Sequence, residues 1–277
     1  MSDFLKVSRA AYYAWVIRSS KPDTDEPRMK LIELAYQSSH RTYGYRRVQI
    51  WITQKYGVNI NHKAVLRLMN KLGVHSVARR RKFMKKKEDY GTYHRYPNYL
   101  NREFSATQPN QKWVTDVTFI HTQQGWAFLS TIKDLHDGFI VAHHFTRYNS
   151  LELVMKTLKK AKQKEVVTDG LILHSDQGHQ YSSHSYFVLT KEYKITPSMS
   201  RCGNCWDNAV MENFFGHLKE EAMRQFLNPT FEEANQIIDD YIYFYNYERI
   251  QLKTRQTPYQ LRCLSIQLIG AFFFCLV

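Results

Sequence analysis

The segment Lys112-Trp-Val-Thr-Asp-Val-Thr-Phe-Ile120 constrains this chain most, because it sets a carboxylate, Asp116, in the middle of an apolar, β-branched run. Read as a strand, it puts Trp113, Thr115, Val117 and Phe119 on one face and Val114, Asp116, Thr118 and Ile120 on the other. A carboxylate there is costly unless a structural partner or a cation compensates it. The rest of the chain has to supply one or the other.

Three strands with short turns follow from the pattern. Trp113–Ile120 is succeeded by a Gln-Gln-Gly turn, then Trp126–Ile132, then Phe139–Phe145 after His136-Asp137-Gly138, which together predict an antiparallel meander. Leu151, Val154, Leu158 and Ala161 mark a crossover helix. Leu171–Leu173 reads as a short buried strand ending at His174-Ser175-Asp176, and Ile195–Met199 as a fifth strand. Helices are predicted over Tyr186–Tyr193, Asp207–Arg224 and Phe231–Tyr247. This order specifies an α/β fold with a mixed five-stranded sheet.

Ahead of it the pattern is helical. Ser8 caps a first helix with Tyr12, Trp15 and Val16 on one face, and a second helix over about 28–37 turns Leu31, Leu34 and Ala35 inward. Tyr45, Val48, Trp51 and Ile52 form a third stripe, interrupted at Gly57. Asn61 then caps a helix with Val65, Leu68, Met69 and Leu72 inside, stopped by Gly73. Helix, glycine-containing turn, helix is a helix-turn-helix pattern, and its last helix offers His62, Lys63, Arg67, Asn70 and Lys71 outward. A small helical bundle with solvated basic residues would share that pattern.

Charge distribution favours the first reading. The formal net charge is +14, and all of it falls in residues 1–105, which hold 22 Lys/Arg against 8 Asp/Glu; residues 106–277 hold 17 of each. The run Arg79-Arg80-Arg81-Lys-Phe-Met-Lys85-Lys86-Lys87 would repel itself unless phosphates accept it. Four parts are therefore expected: a helical DNA-binding region at 1–78, a basic linker at 79–105, an α/β core at 106–265 and an apolar tail at 266–277. The apolar stretch from Leu264 onward falls short of the ~20 residues a membrane span needs. Four cysteines in a chain this long make no disulfide framework, and Cys202 and Cys205 lack a second pair at zinc spacing. A reducing compartment and no membrane partner are expected.

Two further acids stand out. Asp176 follows an apolar strand, at the end where ligand sites of α/β sheets collect, and Glu212 lies in the first turns of a predicted helix whose apolar side is Val210, Phe214 and Leu218. Three converging carboxylates repel one another without a cation, and oxygen-only donors suit a hard ion such as Mg²⁺ or Mn²⁺.

The blocks Trp113-Val-Thr-Asp116, His174-Ser-Asp176-Gln-Gly and Asn204-Cys-Trp-Asp-Asn-Ala-Val-Met-Glu212-Asn-Phe-Phe, with 35 residues between Asp176 and Glu212, resemble the catalytic blocks of the retroviral-integrase-like DDE transposases. The resemblance is greatest to bacterial insertion-sequence (IS-three family) transposases whose second reading frame encodes the integrase core. It extends through Arg41–Arg47, Asn61–Met69, Pro97–Phe104 and Tyr247–Leu252, about residues 8 to 262. It implies an RNase H-like integrase core that binds element ends and target DNA and carries out strand cleavage and strand transfer in succession at one site. Asp116, Asp176 and Glu212 would hold two Mg²⁺, with Mn²⁺ as substitute. Lys219 is implied as a DNA contact two turns beyond the glutamate. A homo-oligomer on DNA, in the bacterial cytoplasm and nucleoid, is expected. No leucine-heptad segment precedes residue 8, which implies a partner from an upstream frame or a frameshift fusion with it. Two departures are Asp134-Leu-His-Asp-Gly138, where the family shows an Asp-Leu-Phe-Ser-Arg-like turn, and His179, where a small residue is usual. A catalytically inert, regulatory DNA-binding fragment is the competing reading.

Overall fold

Apolar spacing and caps build the helical part first. The computed structural model describes residues 8–19, 25–77, 95–167, 170–201 and 205–265, and the chain divides between Ser76 and Val77 into two compact units. The first contains α1 (Arg9–Ser19), α2 (Glu26–Ser38), α3 (Tyr45–Tyr56) and α4 (His62–Lys71). Ser8 Oγ accepts from Ala11 N at 3.1 Å, and Asn61 Oδ1 accepts from Lys63 N at 2.9 Å, so both predicted caps are formed. Gly73, φ +68°, follows the last residues of α4 in the left-handed conformation that closes a helix. Ile32, Ala35, Val48, Ile52, Val65, Leu68 and Met69 are buried. The stripe of α2 sits one residue off the prediction: Ile32 faces in, whereas Leu34 is exposed. Tyr12 and Trp15 on α1 are exposed as well.

The second unit is a mixed five-stranded sheet in the order β3-β2-β1-β4-β5, with β1 (Lys112–Thr122), β2 (Gly125–Asp134), β3 (Ile140–Thr146), β4 (Ile172–Ser175) and β5 (Thr196–Met199). The first three strands pair antiparallel; β4 pairs parallel to β1, and β5 parallel to β4. The helices are α5 (Leu151–Lys164), α6 (His184–Glu192), α7 (Ala209–Glu221) and α8 (Phe231–Tyr247), with a further helical segment at 258–265. Trp113 joins Ile132, Leu173, Val154, Leu158, Tyr186 and Leu189 in one buried cluster that packs α5 and α6 on the sheet. On the opposite face Lys133 donates to Tyr245 Oη at 3.0 Å and lies over the Phe214 ring, while Asn246 exchanges hydrogen bonds with the backbone of Ile140. That face is covered by α7 and α8.

Two buried ion networks lock the periphery. Arg262 donates to Asp134 (2.7 Å), Asp137 (2.8 Å) and Glu165, tying the 258–265 segment to the β2–β3 turn. Arg249 and Glu221, both almost fully buried, pair through two hydrogen bonds of 2.6 and 2.7 Å, and Tyr241 adds a third to the same carboxylate. Burial would push Glu221 upward in pKa, but the Arg249 guanidinium and its partners hold it below the usual carboxylate value. The Asp134-Leu-His-Asp-Gly138 turn thus serves as a structural hub. No helix among the described residues is long and apolar enough to cross a membrane.

Candidate active site

Backbone register brings the first two acids to one level. The parallel pairing of β1 with β4 ends at Val114 opposite His174. Two residues further along each chain stand Asp116 and Asp176, so the register aims them side by side just where β4 stops. Both follow a residue on the α7–α8 side by one period of the pleat. Asp116 is half-buried and its Oδ1 accepts from Val117 N at 2.8 Å; Asp176 is exposed and its Oδ1 accepts from Gly178 N at 2.9 Å. A side chain at position 178 would meet that oxygen at 2.9 Å, so glycine is required for the carboxylate to keep its place.

Tyr181 reports on both acids. It is buried, its hydroxyl lies 3.3 Å from Thr115 Oγ1, and its pKa is driven well above the ordinary phenol value, first by burial and then by the charges of Asp116 and Asp176. Both carboxylates therefore lie within electrostatic reach of one buried hydroxyl.

The third acid arrives on α7. β1 outruns the four-residue β4, leaving backbone groups beyond Val114 without a strand partner on that side. Asn208 fills the gap by donating from Nδ2 to Thr115 O at 3.3 Å, next to Asp116. Its Oδ1 is buried without a partner among the described residues. Glu212 lies one helical turn further, exposed, on the same side of α7 as Asn208. Among the described residues no three His, Cys, Asp or Glu side chains stand close enough together to hold one ion. Two acids are set by strands, and the third is delivered by a helix pinned beside them.

What fixes the start of α7 was not apparent from the sequence. Asp207, 1% exposed, receives Arg102 Nε (2.7 Å), Arg201 Nε (2.9 Å) and Nη2 (3.0 Å), Arg201 N (3.0 Å) and Asn98 Nδ2 (3.1 Å). The Arg201 hydrogen bonds above all hold its carboxyl far below the usual range. Arg201 is six residues away, but Arg102 and Asn98 are about a hundred residues away in sequence, a partnership no local pattern announces. His174 is likewise buried. Its Nδ1 lies 2.9 Å from Ser198 Oγ and its Nε2 3.1 Å from Ser200 Oγ. Desolvation lowers its pKa to about 4, so it is neutral and joins β4 to β5 two residues before Asp176.

The predicted DNA-contacting residues divide. His62, Lys63, Arg67 and Lys71 are all exposed on α4; His62 stacks on Tyr45, and Arg67 makes a 2.9 Å ion pair with Asp25. Lys219 on α7 places its ammonium 4.6 Å from the centre of the Phe119 ring. Arg79, Arg80, Arg81, Lys85, Lys86 and Lys87, the tail from 266 and Cys202 lie outside the described residues, as does the side chain of Cys205.

Comparison with known proteins matches the same regions. Two integrase core domain models align with residues 106–205 and 212–265, and an HTH-like domain model with residues 23–82. The chain is 37% identical to the insertion element IS600 uncharacterized 31 kDa protein of Shigella sonnei, over 90% of this chain and 92% of the relative. It is 36% identical to the putative transposase InsK for insertion sequence element IS150 of Escherichia coli, over 93% of this chain and 90% of the relative. In fold it resembles the simian T-cell lymphotropic virus intasome structure, at TM-score 0.51 and 13% identity over 84% of this chain and 74% of that one. An integrase-core sheet of this order, an HTH-like region ahead of it and relatives of this similarity along almost their whole length give one conclusion: the chain belongs to the DDE transposases of bacterial insertion sequences, of the IS3 type, and is a transposase that acts by polynucleotidyl transfer.

Proposed function

We propose that Asp116, Asp176 and Glu212 are the reacting centre of this transposase, cutting DNA at the element's ends and joining the freed 3′-ends to target DNA. The observation that carries the reading is the register of β1 on β4, which sets Asp116 beside Asp176, with the α7 that bears Glu212 hydrogen-bonded to the neighbouring Thr115 carbonyl. Three carboxylates and no nitrogen or sulfur donor match a hard divalent cation. Asp116 and Asp176 would hold Mg²⁺, with Glu212 completing the set. Two such ions, when bound, activate the attacking oxygen and stabilise the departing one in an in-line displacement.

The chain's own groups do the rest. Asp116 and Asp176 are oriented by the backbone amides of Val117 and Gly178. His174, neutral between the hydroxyls of Ser198 and Ser200, ties β4 to the end of β5 two residues before Asp176. In the division of labour we propose, the helical region at 1–78 and the basic linker from 79 to 105 hold DNA through His62, Lys63, Arg67, Lys71 and the arginines and lysines of 79–87. The core at 106–265 then performs transfer, with Lys219 on the DNA beside Glu212. Self-association on DNA, and dependence on an upstream-frame partner for end recognition, belong to the same reading.

The test is a nicking and joining assay on element-end DNA with Mg²⁺ or Mn²⁺. Asp176→Asn and Glu212→Gln should each abolish both steps while leaving salt-sensitive DNA binding intact. Joining by Asp176→Asn at the wild-type rate would sink the assignment.

A further inference from the structure

We infer that the outer face of the β1–β2 hairpin is a stacking platform for unpaired DNA bases. β1 and β2 continue past the rest of the sheet, and their cross-strand pair His121–Trp126 lies near the tip. Phe119 and His121, alternate residues of β1, flank Trp126 edge-to-face, with ring centroids 5.2 and 5.0 Å away. Phe119 is 46% and Trp126 57% exposed. Large rings clustered in solvent are unusual for a surface without a ligand, because each could bury apolar area elsewhere.

The company these rings keep points to nucleotides. Lys219 holds its ammonium 4.6 Å from the Phe119 ring centre. The exposed indole of Trp126, with a cation over the neighbouring ring, matches what one nucleotide presents, a base to stack and a phosphate to neutralise. Lys219 lies on the helix that bears Glu212, seven residues or ~10 Å beyond it along the axis. Phe119 follows Asp116 by three on β1, again ~10 Å, an odd step that turns its ring to the opposite face of the sheet from the centre proposed above. The hairpin is also braced: Gln123 N donates to Pro229 O at 2.9 Å, Phe231 N to Gln124 Oε1 at 2.8 Å, and His121 Nδ1 lies 3.1 Å from Asn228 Oδ1. A rigid platform loses little entropy on stacking a base.

The experiment compares the full chain on two probes, a fully paired duplex and the same duplex with a forked, unpaired end, with Tm measured for each variant. Trp126→Ala and Phe119→Ala should weaken binding to the fork about five- to hundredfold, as loss of base–aromatic stacking does. They should leave the paired duplex within about twofold, as a surface substitution does, and Trp126→Phe should restore most of the loss. Equal losses on both probes, no loss on either, or a changed self-association with unchanged fork binding would overturn the inference; the last outcome would make the patch a contact between copies of this chain. Leu227→Ser supplies a control, since this fully exposed aliphatic side chain on the neighbouring loop should matter only in that last case. Because the readout is binding, it is separable from the reacting centre: a joining-competent Asp176→Asn would remove the assignment of the acids and leave the fork preference to be judged alone.

Discussion

The side-chain amide of Asn208 donates to the backbone carbonyl of Thr115 at 3.3 Å, so the start of the helix bearing Glu212 is tied to the strand residue that precedes Asp116. Removing that tie should cost more in rate than in stability. Asn208→Ala deletes one hydrogen bond, worth about 1 kcal/mol, and a core of this size should lose a few degrees of Tm, roughly 2–4 °C per kcal/mol. Strand joining should fall at least tenfold, since Glu212 would no longer be held near the strand acids. Parallel thermal melts and single-turnover joining assays read the two effects separately.

Asp207 should behave as an anchor with an acid-sensitive signature. Its pKa is depressed in the folded protein, chiefly by the Arg201 hydrogen bonds, so its contribution is present above the ordinary carboxylate pKa of about 3.9 and is lost as pH falls below it. Asp207→Asn should destabilise at pH 7 and flatten the stability profile at the acid end. Arg102→Gln, which removes one exposed partner, should have a smaller effect of the same kind. Denaturant melts between pH 3 and pH 7 would test both, and an Asp207→Asn profile parallel to wild type below pH 4 would contradict the account.

Opposite slopes are expected from two buried groups. Burial first, then the charge of Asp137, raises Asp134 to about 6 against the pull of Arg262. The folded state therefore holds that proton longer than the unfolded chain, and the contribution of Asp134 to stability falls as pH rises from about 4 to about 6. His174, lowered to about 4, does the reverse and gains stability as pH rises through the same window towards its unfolded value of about 6.5. Asp134→Asn should therefore leave a profile that climbs more steeply from pH 4 to 6 than that of wild type. Arg262→Met, which strands three acids around a buried site, should destabilise by about 3–5 kcal/mol, and more at pH 8 than at pH 5.

Gly178→Ala makes a close steric test of the Asp176 carboxylate. The added methyl would sit 2.9 Å from Asp176 Oδ1 and 3.2 Å from Gln180 Oε1. Joining should fall by ten- to hundredfold while DNA affinity and Tm stay close to wild type, since the clash is met by moving an exposed carboxylate. The divalent-ion concentration for half-maximal rate should rise with it. Unchanged metal dependence would mean that Asp176 has other room to settle.

The strands as segments of chain were legible in sequence because each is a short local run: Trp113 to Ile120 is apolar and β-branched, and Leu171–Leu173 is a buried run. That Asp116 and Asp176 share one level follows only once those strands pair. The caps at Ser8 and Asn61 were legible because their hydrogen bonds span two or three residues. Partnerships closed by tertiary folding were not. Arg102 and Asp207, Asn208 and Thr115, Arg262 and Asp134, and His174 with its two serines are separated by tens of residues or more and leave no periodic trace. The misplaced stripe of α2 has another origin: Leu34 and Ile32 are equally apolar, and the packing of three helices, rather than hydropathy, selects which turns inward.

β4 is four residues long and ends one residue short of Asp176, and this has a consequence for how the protein can change. The separation of Asp116 from Asp176 is set by peptide-bond register, so substitutions in the surrounding apolar core can shift packing without moving one acid past the other. A single-residue insertion or deletion between Thr115 and Asp116, or between His174 and Asp176, would turn one carboxylate to the opposite face of the sheet. Length, as much as the two carboxylates themselves, is what these short stretches of chain hold fixed.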